Sequence, residues 1–150
     1  YNLTLNKPGV RFFEGEEGFK KVLYDTLTSK TDVYLFINTE AMTEEEKFKI
    51  INSEYKQKRI QSQLKKKILR VGDKPELTFG TSDEKYNAIT EIRYTGKLPA
   101  STKAAIHIYD GKISYQIIDG EKIIGILIED KNIYEINKTW FEMMWETAEV

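Results

Sequence analysis

The chain has 150 residues, with 23 lysines and arginines against 24 aspartates and glutamates, a formal net charge of −1, 40% apolar residues and no cysteine. That charge balance exerts no global pull toward nucleic acid or a membrane surface, and the lack of cysteine excludes a disulfide scaffold, thiolate metal sites and cysteine nucleophiles while fitting a reducing, cytoplasmic compartment. Length and composition fit one globular domain with a sizeable core.

No targeting or spanning segment is visible. The purely apolar run at 33–37 is far short of the ~20 residues a membrane span needs, and the N-terminus lacks a signal-peptide pattern. The chain opens at Tyr1 without methionine, as expected of a piece excised from something longer. Residues 1–6 read as a tail or linker end, and 7–150 as the domain. Lys7-Pro8-Gly9 marks the chain entry, because proline biases its predecessor away from helix.

Val10, Phe12 and Phe13 are strand formers. Gly15 supplies a sharp turn. Glu16 and Glu17 suit a helix N-terminus, and Phe19, Val22, Leu23 and Leu27 recur at helical spacing up to about 28–30. Residues 32–38 contain Val-Tyr-Leu-Phe-Ile, apolar on both faces, as in a central strand covered by helices on both sides. A strand feeding a helix with another strand close behind points to an α/β sandwich.

Thr43 with Glu46 three residues on reads as a capping box opening a helix to about Gln63, with Phe48, Ile51 and Tyr55 as its buried stripe and Ile60 and Leu64 as a less regular extension. A short strand at 67–71 ends at Gly72-Asp73. Residues 74–87 read as loop with one helical turn. From Glu91 strands dominate: 91–95, 104–109, 112–118 and 122–128. Asp110-Gly111 is a two-residue hairpin turn, and Asp119-Gly120 a similar one. The closing helix, 133–148, is assigned Ile133, Ile136, Trp140, Met144 and Ala148 as its inward stripe, widened by Phe141 and Trp145.

Several segments invite chemical readings. Gly15-Glu16-Glu17-Gly18 lacks the lysine and hydroxyl of a phosphate loop, and its carboxylates would repel a phosphate, so it reads as a turn plus helix start. Arg11, Glu14 and Glu17 are placed in the cleft at the carboxyl end of the first strand, where open α/β sheets bind ligands. The stretch 56–70 holds seven cations and no acid. It reads as a solvated helix face whose charges complement the helix dipole, with contact to an anionic ligand or DNA as the other reading. His107, the lone histidine, cannot build a multi-histidine metal site. No Gly-x-Ser-x-Gly elbow, Walker motif or paired metal-ligand spacing occurs. The residues alone therefore favour a binding or regulatory module over an enzyme, without a cofactor.

The run 7–20, Glu91-Ile92-Arg93-Tyr94, Ile106-His107-Ile108-Tyr109 turning through Asp110-Gly111-Lys112, the strand 123–128 and Trp140-Phe141-Glu142-Met143-Met144-Trp145-Glu146 together resemble, in order and spacing, the C-terminal effector domain of TrmB-like transcriptional regulators. That resemblance implies a phospholipase D-like α/β sandwich: a mixed sheet flanked by helices, with a hairpin-rich C-terminal half and a closing helix. The active phospholipase D half-site reads His-x-Lys-x-x-x-x-Asp. Aligned on His107, Tyr109 stands at the lysine position and Ser114 at the aspartate position, so the motif is lost, and with it a main stabiliser of phosphoryl charge. The resemblance implies a non-catalytic sensor of a sugar-like metabolite, homodimeric, reaching DNA only through a winged-helix domain absent from this chain. Arg11, Glu14, Asn38, Arg93, His107 and Tyr109, at strands and strand ends, are its candidate ligand residues. The alternatives are a diverged phosphodiesterase pairing two half-sites and a purely structural dimerisation module.

Overall fold

A computed structural model describes residues 9–75, 83–97 and 102–150. The predicted tail at 1–6 lies outside them. Seven strands form one mixed sheet: β1 (Val10–Glu14), β2 (Val33–Ile37), β3 (Lys66–Arg70), β4 (Thr90–Tyr94), β5 (Ala104–Tyr109), β6 (Lys112–Asp119) and β7 (Lys122–Glu129), ordered β1-β7-β6-β5-β2-β3-β4. The β2-β3-β4 side is parallel; β2 meets β5, and β5, β6, β7 and β1 follow one another, all antiparallel. This is the expected division: crossovers through helices in the first half, hairpins in the second.

One face of the sheet is covered by α1 (Gly15–Asp25) and α3 (Glu46–Ser62), the other by α5 (Lys131–Thr147). Strand β2 is interior, and its two faces feed different cores. Leu35 and Ile37 join Phe19, Phe48 and Ile51 on the α1/α3 side, whereas Tyr34 and Phe36 pack with Phe141 and Trp145 under α5. That is the physical content of its all-apolar run. Helix α1 rides close on β7: a Cβ on Gly125 would lie 2.8 Å from Val22 Cγ2 and 2.9 Å from the Gly18 carbonyl oxygen. Asp110 (φ 45°) and Gly111 (φ 74°) both adopt the left-handed conformation that a two-residue hairpin of this hand demands. The second turn occupies Gly120 and Glu121, one residue later than predicted, since Asp119 still pairs with Lys122.

Three expectations need correction. The capping box does not form. A one-turn helix, α2 (Thr39–Met42), intervenes; Asn38 caps it by accepting from the Ala41 N–H at 3.1 Å, and the Thr43 hydroxyl donates to the Glu40 carbonyl instead of opening α3. In α3 the inward stripe continues from Tyr55 to Arg59 rather than to Ile60. In α5 the inward residues are Phe141 and Trp145, with Tyr134 and Met144 beside them. Ile133, Ile136, Trp140 and Met143 face outward, Trp140 being 62% exposed. The helical turn expected within 74–87 is found as α4 (Glu84–Ala88), capped by Asp83; residues 76–82 of that stretch lie outside the described residues.

Candidate functional site: a cationic cavity and a buried histidine

Strand alternation decides where the basic stretch points. Residues 66, 68 and 70 of β3 share one face, while 67 and 69 share the other. Ile68 belongs to the α1/α3 core and Leu69 to the α5 core, so Lys66 and Arg70 point under α3. From above, α3 directs Lys56 and Arg59 to the same place. These four cations line one cavity of about 470 Å³ between α3 and β2-β3-β4, rimmed by Tyr86 and Asn87 of α4. Tyr55, Tyr94 and Asn52 complete the polar and aromatic wall, and no carboxylate of the described residues lines it.

Each cation is held differently. Arg59, 2% exposed, donates to the Leu64 carbonyl at 2.8 Å and the Ile89 carbonyl at 3.1 Å, and to the Thr90 hydroxyl. It thereby ties the end of α3 to the start of β4. Lys56 lies 4.3 Å over the Tyr86 ring. Lys66 sits 4.4 Å from the Tyr55 ring, and its amine is 2.9 Å from His107 Nε2. The buried Arg70 Nε has no hydrogen-bond partner. Burial first, and the Arg59 charge second, push the Lys66 amine well below its ordinary range.

Behind Lys66 lies a polar network inside the core. His107, 2% exposed, meets Gln116 Oε1 through Nδ1 at 2.7 Å, and Gln116 Nε2 donates to the Ser114 hydroxyl at 2.9 Å. An amide oxygen only accepts, so Nδ1 carries the proton and Nε2 accepts from Lys66. Burial, then the Lys66 charge, hold His107 well below its ordinary value, partly offset by the bond to Gln116. The imidazole is therefore neutral, with both nitrogens engaged. Tyr109 shares this face, is 1% exposed and donates to Asp25 Oδ2 at 2.8 Å; burial and that carboxylate raise its phenol well above the usual range.

The six candidate ligand residues do not gather. Arg11 is on the edge strand, ion-paired with Glu129. Glu14 opens α1 and borders a shallow hollow with Glu17, Lys20 and Lys21 that does not include Arg11. Asn38 caps α2. Arg93 is on the opposite face, donating to the Trp145 carbonyl at 2.8 Å with its guanidinium 4.5 Å from the Trp145 ring. Only His107 and Tyr109 share a neighbourhood, and neither lines the cavity. The sequence reads 56–70 as a solvated helix face, with anion contact as its other reading, and does not separate Lys56, Arg59, Lys66 and Arg70, which turn inward to one cavity, from the remaining cations of the stretch. The available signal was that β2, buried on both faces, leaves its neighbour β3 no solvent face for Lys66 and Arg70.

No family model and no curated protein matches this chain. Among solved structures, TrmBL2, an archaeal chromatin protein whose structure shows a novel mode of DNA binding, superposes with a TM-score of 0.61 at 18% identity, over 97% of this chain and 54% of that one. The chain thus spans about half the length of that relative. NucT from Helicobacter pylori gives 0.59 at 11% identity, over 93% of this chain and 96% of that one. Nuc from Salmonella typhimurium, a phospholipase D family member, gives 0.54 at 11%, over 95% and 97%. These likenesses establish a phospholipase D-like fold of the kind that TrmBL2 also contains.

Proposed function

We propose that this domain is the non-catalytic, ligand-sensing half of a TrmB-like transcriptional regulator, reaching DNA through a winged-helix domain outside these 150 residues. The observation that carries the reading is His107. A phosphodiesterase of this fold needs its histidine to reach phosphorus, yet this ring is buried and bonded at both nitrogens. Tyr109 and Ser114 stand where the lysine and aspartate of the active half-site belong. Lys66 does bring an amine to the ring, but inside the core, with its proton affinity lowered. A separate cavity, lined without His107, offers the volume a small metabolite needs. The wild-type protein is expected to leave a generic phosphodiester such as bis(p-nitrophenyl) phosphate unhydrolysed. Turnover that disappears in His107→Ala would establish the phosphodiesterase alternative instead. A panel of sugars and sugar phosphates is expected to contain compounds that raise the melting temperature by mass action.

A structural role in dimerisation is favoured by a different observation. Ile133, Ile136, Trp140 and Met143 stand outward on α5 at steps of three and four, the spacing of a helix–helix seam. In sedimentation, the protein is expected to dimerise at tens of micromolar, roughly the range of a modest interface, and Trp140→Glu to shift it to monomer. A wild type that stays monomeric at millimolar concentration overturns the dimer reading.

A further inference from the structure

We propose that the cavity between α3 and β2-β3-β4 is a binding site for a phosphate monoester of a small polyol or sugar, anchored by Arg70 and Lys56. The proposal rests on the ligand-sensing reading above and gives its site a chemistry. Four cations converge on this cavity, and no carboxylate among the described residues lines it. Ordinarily a charge taken out of water is paired, because unpaired burial is costly. Here the compensation is partial. Arg59 uses carbonyl and hydroxyl oxygens, and Lys66 leans on a neutral imidazole.

Arg70 is left open. Its Nε is shielded from solvent and donates to nothing, a state shared among the described residues with Arg93 Nε on the other face of the sheet and uncommon in a native fold; of the two, only Arg70 lines the cavity. An oxyanion arriving from the cavity meets the Nη groups of Arg70 first, and a small turn of the side chain brings Nε in beside them, the fork geometry that suits arginine to phosphate. Lys56 reaches the same space from the helix as a point charge over the Tyr86 ring, with Arg59 adding to the positive field.

The remaining wall argues for the rest of the ligand. Asn52 and Thr39 present an amide and a hydroxyl, groups that exchange hydrogen bonds with a polyol, while Tyr86 and Tyr94 offer flat apolar surface. The cavity's 470 Å³ lies within the range of small-molecule sites. It suits a metabolite with one charged end and one hydroxylated end.

The test is calorimetric titration of the 150-residue protein with glucose 6-phosphate, inorganic phosphate and glucose, at fixed ionic strength. The expected order is measurable binding of glucose 6-phosphate, weaker binding of inorganic phosphate and none of glucose at matched concentrations. Arg70→Gln is expected to weaken glucose 6-phosphate at least tenfold, and Lys56→Gln, an easily tolerated helix-surface change, severalfold. Failure of both phosphate compounds to bind overturns the inference, as does binding unchanged in both variants. If glucose or another neutral sugar binds while the phosphates do not, the anion chemistry is wrong and the sensing reading stands. If neither phosphates nor neutral sugars bind, both are rejected.

Discussion

Trp145→Ala is expected to cost roughly 3–5 kcal/mol of folding stability, the range for truncating a buried aromatic. For a domain of this size that lowers the melting temperature by about 10 °C. The size follows from what the indole joins. Tyr34 of β2 stacks on Phe141 at 4.6 Å between ring centroids, and Phe141 stacks on Trp145 at 5.7 Å. The Arg93 guanidinium lies 4.5 Å from the indole and bonds the carbonyl of the same residue at 2.8 Å, while the Lys67 amine approaches the ring at 5.6 Å. Removing the ring therefore opens a cavity under α5, which among the described residues is the helix covering this face. It also exposes two cations' contacts on β3 and β4, the strands that carry the cationic cavity on their other side. Trp140→Ala, five residues earlier but outward-facing, is expected to change stability by less than about 0.5 kcal/mol. Chemical denaturation of the two variants side by side checks the assignment. Similar losses in both would return Trp140 to the inward stripe and contradict the packing of α5.

The two tryptophans also show where sequence periodicity runs out. Helix α5 carries apolar residues on two stripes, 133-136-140-143 and 134-141-144-145-148, and both have helical spacing. Periodicity identifies a helix but not which of two stripes finds the sheet. That is settled by the direction in which β7 delivers the chain, with Tyr134 and Phe141 brought over β5 and β6. Elsewhere local chemistry was decisive. Asp110-Gly111 satisfies a backbone demand that few other pairs meet, and the β2 run is too apolar for any edge position. The capping box failed because an alternative was equally local: Asn38 caps first, and Thr43 is consumed closing the turn it starts.

The cationic cavity was hidden for a different reason. Lys66 and Arg70 alternate with Lys67, so both faces of β3 carry a cation and charge alone does not reveal the inward one. Arg59 stands on the buried stripe of α3 where periodicity expects an aliphatic residue, because its guanidinium has three oxygens to reach. The six residues chosen from strand ends scattered because strand ends in this fold serve caps and inter-element ties as often as ligands.

Acid is expected to destabilise the protein through His107, and the sign follows from proton counting. Below about pH 6.5 an unfolded chain protonates this histidine. The folded protein does not, because burial, the Lys66 charge and the Arg59 charge disfavour imidazolium more than the bond to Gln116 favours it. The unfolded state then binds more protons, so stability rises with pH and falls as pH drops below 6.5, at up to about 1.4 kcal/mol per pH unit for one group. The same logic places Lys66 higher on the scale. Its folded value lies well below 10.5, so the destabilisation it causes begins as pH falls below 10.5 and grows until the folded amine itself takes up its proton. The groups facing this pair are Tyr55 and Arg59 from α3, Gln116 and Ser114 from β6, and one another. None is a carboxylate that would counter either shift. His107→Gln, whose amide oxygen can still accept from Lys66, is expected to be less stable than wild type at pH 7 but to lose less between pH 6.5 and 4.5. Denaturant midpoints across that interval measure the difference, and identical slopes in the two proteins would show that His107 is already protonated when folded. Glu45, lowered by its bond to Lys103, contributes equally to both proteins, so the comparison isolates the histidine. A phosphate in the adjoining cavity would favour the charged form of Lys66. Folding disfavours the ammonium there and an anion would favour it, and that opposition links the cavity to the buried network behind it.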